Sequence, residues 1–104
     1  MQTYLLELYA PSATARAVRD AAARAQQAAD ELCAEGTPIR YLRSVFVPDD
    51  ETCFHLYAAD SIATLHMAAT RAGFGDGRIV EAITATARST PNRSTDEKET
   101  RRRP

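Results

Sequence analysis

The sequence predicts an α+β domain whose strands and helices follow the order βαββαβ. Three observations carry this expectation. Alternating side-chain character marks four short segments, near residues 3–9, 39–47, 52–58 and 78–83. Two alanine-rich segments with apolar residues three and four apart separate the first from the second and the third from the fourth. Gly36 and Gly73 stand where those two segments should stop. Two right-handed crossovers then put both helices on one face of a four-stranded antiparallel sheet, the ferredoxin-like arrangement.

In the first strand, Leu6 and Leu8 point one way and Leu5, Glu7 and Tyr9 the other. Pro11 ends it, and Ser12 is the expected N-cap of a helix over residues 13–35. Val18, Ala22, Ala25, Ala29 and Leu32 form the apolar stripe of that helix. Alanine lets it lie close to a sheet but buries little area per residue. Pro38 prevents it from resuming after Gly36. Residues 39–47 and 52–58 form a hairpin around Pro48-Asp49-Asp50-Glu51. With Asp49-Asp50 at the tip, Val47 faces Thr52, Phe46 faces Cys53, Val45 faces Phe54, Ser44 faces His55 and Leu42 faces Tyr57. Asp60 or Ser61 caps a second helix over residues 61–72, with Ile62, Leu65, Ala69 and Ala72 inward. Phe74, following Gly73, folds back onto its last turn.

The chain of 104 residues suits one domain, expected over residues 1–87. The polar residues 88–104 are expected to be a disordered tail. A net charge of −1 gives no bulk attraction to nucleic acid or to an anionic membrane. No apolar run approaches the ~20 residues of a membrane span. Met1-Gln2-Thr3-Tyr4 runs straight into a strand pattern, so no leader is expected, and Cys33 and Cys53 match no zinc or redox motif. Both are expected to be free thiols in a cytoplasmic protein. Lys98 is the only lysine and alanine is abundant, a bias of GC-rich, actinobacterial-type genomes.

Placing the most apolar strand residues inward puts Leu6, Leu8, Val45, Phe54 and Leu56 under the helices, with Arg43 snorkelling at the edge. The other face then carries Leu5, Glu7, Tyr9, Leu42, Ser44, Phe46, Cys53, His55 and Tyr57. It is too apolar to stay wet, so a homodimer closing over it is expected. Cys53, His55 and Glu7 are candidate ligands for Ni(II) or Zn(II). The alternative is a hydrogen-bonded histidine in an interface. His66, on the second helix, is a further metal candidate or a structural histidine, expected across the sheet from His55. Glu7 and His55 are also the best acid–base pair, with Tyr57 or Tyr9 orienting a ligand. Cys53 and His55, roughly 7 Å apart along a strand, are long for direct proton transfer.

Several segments resemble one small bacterial family. They are Tyr4-Leu5-Leu6-Glu7, Ile39-Arg40-Tyr41-Leu42-Arg43-Ser44-Val45, Cys53-Phe54-His55-Leu56-Tyr57-Ala58, His66-Met67-Ala68 and Arg71-Ala72-Gly73-Phe74. The family is a domain of unknown function with an actinobacterial nickel-binding member. The resemblance spans residues 3–83 and implies a ferredoxin-like dimer. The positions that recur in the family correspond to Glu7, Ser44, Cys53, Tyr57 and His66, and Tyr41 stands where the family often has Trp. Three functions stand as expectations. One is a dimeric binding protein holding a nickel-like metal or a small ligand at Glu7, Ser44, Cys53, His55 and Tyr57. The second is a cofactor-free monooxygenase, isomerase or cyclase of the dimeric α/β-barrel type, by analogy of fold. The third is an interaction module with no small ligand.

Overall fold

A computed structural model describes residues 1–85 and 87. Its elements are β1 (Gln2–Tyr9), α1 (Ala15–Ala34), β2 (Ile39–Val47), β3 (Thr52–Ala59), α2 (Ile62–Ala72) and β4 (Arg78–Ala82). The strands form one antiparallel sheet in the order β2-β3-β1-β4, the ferredoxin-like topology that the element order predicts. No helix among the described residues is long and apolar enough to cross a membrane. The proposed tail, residues 88–104, lies outside the described residues.

Local chemistry explains where the helices start and stop. Thr14, not Ser12, caps α1: its Oγ1 accepts from the Ala17 N–H at 3.0 Å. Ser12 instead sits in the left-handed region at φ 56°, within the turn out of β1. Ser61 caps α2 as expected, accepting from the Thr64 N–H. Gly36 and Gly73 both adopt positive φ just past their helices. After Gly73 the Phe74 N–H donates to the Ala69 carbonyl at 2.7 Å, which turns the Phe74 ring inward to 5% exposure. That contact follows the Gly-ended helix pattern read from the sequence.

The hairpin differs from a two-residue turn. Pro48–Asp50 form one turn of 3-10 helix, and Glu51 takes the left-handed conformation. The Glu51 carboxylate accepts from the Tyr9 hydroxyl and the Ser12 N–H, which ties this turn to the end of β1. Val47↔Thr52, Phe46↔Cys53, Val45↔Phe54 and Ser44↔His55 pair as predicted. Beyond them the register shifts, and Tyr41, not Leu42, faces Tyr57. Leu42 is therefore the extra residue of a β-bulge.

The faces of β2 and β3 are the reverse of the expected ones. Leu6 pairs with His55, Leu8 with Cys53 and Tyr4 with Tyr57. Cross-strand partners share a face, so Cys53, His55 and Tyr57 point under the helices, where all three are buried. Phe54, Leu56, Val45 and Arg43 share the open face with Leu5 and Glu7. The physical reason is that Ser44, Cys53, His55 and Tyr57 each find a hydrogen-bond partner inside, so their burial does not leave them unsatisfied.

The core joins Leu6, Leu32, Leu65, Tyr57 and Phe74 to alanines of both helices, among them Ala25, Ala28, Ala69 and Ala72. Small side chains let α1 and α2 pack closely on the sheet. Gly77 is a second close approach: a Cβ there would meet Leu6 Cδ1 at 2.5 Å and Leu8 Cδ2 at 3.0 Å. Replacing Gly77 by Ala should therefore overpack this corner and cost about 1–3 kcal/mol. Urea denaturation followed by circular dichroism checks this; an unchanged midpoint would show that the corner has slack.

Candidate functional site

The candidate residues divide between two environments. Ser44, Cys53, His55 and Tyr57 lie on the helix side, and Glu7 lies on the open face. The sheet itself separates Glu7 from His55, so the expected acid–base pair is not assembled.

On the helix side a hydrogen-bonded chain crosses β2 and β3. The Tyr41 hydroxyl and Ser44 Oγ lie 2.7 Å apart, and Ser44 Oγ lies 2.6 Å from His55 Nδ1. The other ring nitrogen, Nε2, is 3.7 Å from Cys53 Sγ. Both nitrogens of a fully buried imidazole are thus occupied. Two proton arrangements satisfy the chain. In one, Tyr41 donates to Ser44, Ser44 to Nδ1, and Nε2–H to sulfur. In the other, every donor and acceptor is reversed.

The bulge makes this chain. Regular alternation would send residues 41 and 44 to opposite faces. The extra residue at Leu42 brings Tyr41 and Ser44 to the same face. It also turns Arg40 and Arg43 together onto the open face, opposite Ala58 and Leu56.

The His55 ring stacks on Phe74 with centroids 4.8 Å apart and planes 6° from parallel. The Arg24 guanidinium lies 5.1 Å from the Phe74 centroid and donates through Nε to the Ala72 carbonyl. Burial, and secondarily the charge of Arg24, pushes the His55 pKa down to about 4. The imidazole is neutral at physiological pH. Burial also pushes the Cys53 thiol up, which keeps it protonated. The side chains of Cys53 and His55 lean together more closely than strand spacing suggests. A protonated, buried thiol beside an imidazole with a low pKa is nevertheless no activated nucleophile. Tyr57 donates to the Ala25 carbonyl at 3.4 Å, and burial, then the neighbouring Tyr41, raises its pKa.

The open face holds Glu7, whose Oε1 is 3.6 Å from the Arg78 guanidinium. His66 does not lie across the sheet from His55. Both are on the helix side, with His55 beneath the helices and His66 exposed on the surface of α2. Cys33 is an exposed free thiol on α1. Among the described residues no three His, Cys, Asp or Glu side chains come together as a metal site. The sequence reading missed Tyr41, Arg24 and Phe74 as members of the His55 environment. For Tyr41 no local signal existed, because its partnership with Ser44 depends on the bulge.

The family model of the SCO4226-like nickel responsive proteins matches residues 4–82. The chain belongs to this family. The SCO4226-like match begins within β1 and ends on the last residue of β4, so it takes in both helices and all of the sheet but Gln2 and Thr3. No match was found among curated proteins or among solved structures.

The buried imidazole makes stability depend on pH. With its native pKa about 4, below the ordinary 6.5, the unfolded chain takes up the proton first as pH falls. This contribution is complete above pH 6.5 and is lost between pH 6.5 and about 4. The full loss is about 3 kcal/mol. Urea denaturation at stepped pH should show this slope in the wild type and not in His55→Phe. A wild type equally stable across that window would refute the buried neutral histidine.

Proposed function

We propose that this chain is a homodimeric binding protein whose working surface is the open sheet face. The observation that supports the reading is the composition of that face. Leu5, Phe54, Leu56 and Val80 are only partly buried and Val45 is 43% exposed, with no helix over them. A contiguous apolar sheet surface of this kind buries itself against a second layer, and a second copy supplies one by two-fold symmetry. The result is a dimer of the α/β-barrel type. The unpaired thiols suit a reducing compartment, and we place the protein in the cytoplasm.

The family's description makes nickel the first ligand to test. Nickel(II) takes several nitrogen, oxygen or sulfur donors. The residues of one protomer do not fit that need. Cys53 and His55 are bonded within the interior chain, Glu7 stands across the sheet beside Arg78, and His66 is remote on α2. In this reading a response to nickel does not run through Cys53 or His55.

Sedimentation velocity tests the dimer. Wild type should sediment as a dimer at micromolar concentration, and Leu56→Asp as a monomer with unchanged circular dichroism. A monomeric wild type would overturn the reading. Nickel titration by calorimetry tests the second claim: Cys53→Ser should give the wild-type isotherm, and loss of nickel heat in that variant would contradict it.

A further inference from the structure

We infer that the open face holds a small amphiphilic carboxylate between two copies of the chain, with Arg40 and Arg43 on the charged group and Leu5, Phe54 and Leu56 on its apolar body. The inference rests on the dimer reading and names the ligand class of that same surface.

The sheet register lays out the face as a grid. One row across the four strands reads Arg43, Leu56, Leu5, Val80. The row on one side reads Val45, Phe54, Glu7, Arg78, and the row on the other Arg40, Ala58, Thr3, Ala82. On the two central strands Leu5, Phe54, Leu56 and Ala58 are apolar and Glu7 and Thr3 are polar, and the arginines stand on the outer strands. Among the charged groups of these rows, Arg78 is matched by Glu7 at 3.6 Å. Among the described residues, the ion pairs leave Arg40 and Arg43 without a carboxylate.

The bulge at Leu42 concentrates this charge. In a regular strand, residues 40 and 43 would face opposite ways. Here their partners are Ala58 and Leu56, two residues apart on β3, so the two arginines stand roughly 7 Å apart along one edge of one face. Two long arginine side chains rooted at that backbone spacing can bring their guanidinium groups onto a single carboxylate, which their planar forks match bidentately. Bulges re-aim side chains in this way near functional sites.

Two copies meeting through this face bring both Arg40–Arg43 pairs toward one cleft. Guanidinium groups desolvated without a counter-charge are strongly unfavourable. An anion that neutralises them favours closure, whereas a metal cation is repelled. The apolar floor selects an anion with a hydrocarbon or aromatic body over a bare inorganic one.

The test uses the full chain and octanoate as probe, with acetate lacking the body and octylammonium carrying the opposite charge. Calorimetry should show octanoate binding to the dimer, and sedimentation velocity of samples diluted until the ligand-free dimer partly dissociates should show octanoate restoring it, with neither effect from the two controls. The Arg40→Gln/Arg43→Gln variant should bind octanoate at least about tenfold more weakly while melting as wild type does. Octanoate binding unchanged in that variant, or octylammonium binding equally well, would overturn the proposal. An intact dimer with no octanoate heat would overturn it too, leaving the dimer reading in place. A wild type monomeric with and without octanoate would overturn both the dimer reading and the placement of the ligand between copies.

Discussion

Much of this fold turns on one buried imidazole having both nitrogens satisfied. His55 is fully enclosed by the helices, and an unpaired ring nitrogen there would carry the desolvation cost of a buried polar group, about 1–3 kcal/mol. Ser44 meets Nδ1, and Tyr41 holds Ser44. Tyr41 reaches Ser44 because β2 carries one extra residue at Leu42. The same residue puts Arg40 on the open face beside Arg43. One backbone irregularity thus fixes both the Tyr41–Ser44 link inside and the charge pair outside.

The polarity of the sheet follows. Polar groups of β3 face the helices, and its large apolar groups face away. A single layer would not keep Phe54, Leu56 and Val45 at the surface without a reason. The reason offered here is a second copy, with a counter-charge for the arginines of β2. The same geometry weakens the idea of a metal centre within one protomer. Its best donors are separated by the sheet or already bonded to one another, and the open face carries more positive than negative charge.

The element order was legible because periodicity, caps and breakers agreed with one another. Gly36, Gly73 and Phe74 ended their helices by the chemistry expected of them, and the hairpin tip fixed the pairing from Ser44 to Val47. The bulge was not legible, since Ile39 to Val47 reads as a plain strand and the extra residue shows only against β3. The choice of face was not legible either. Alternation sorts a strand into two sets but does not say which set is inside. Hydrophobicity favoured Phe54 and Leu56 for the interior, and the satisfied partnerships of His55, Ser44 and Tyr57 reversed it. Those partnerships join residues distant in sequence, such as Tyr57 and Ala25. The candidate list consequently put Ser44, Cys53 and His55 on the wrong side of the sheet, left out Tyr41, and joined to them a Glu7 that the sheet holds apart.

The claim that this chain is buried and neutral is tested most directly by titrating the His55 ring through its imidazole carbon-bound proton resonances in NMR. The account predicts a ring that stays neutral through pH 6 and titrates near 4. A His55 that titrates at or above the ordinary value of about 6.5 would contradict it, because such a ring would not be buried and neutral.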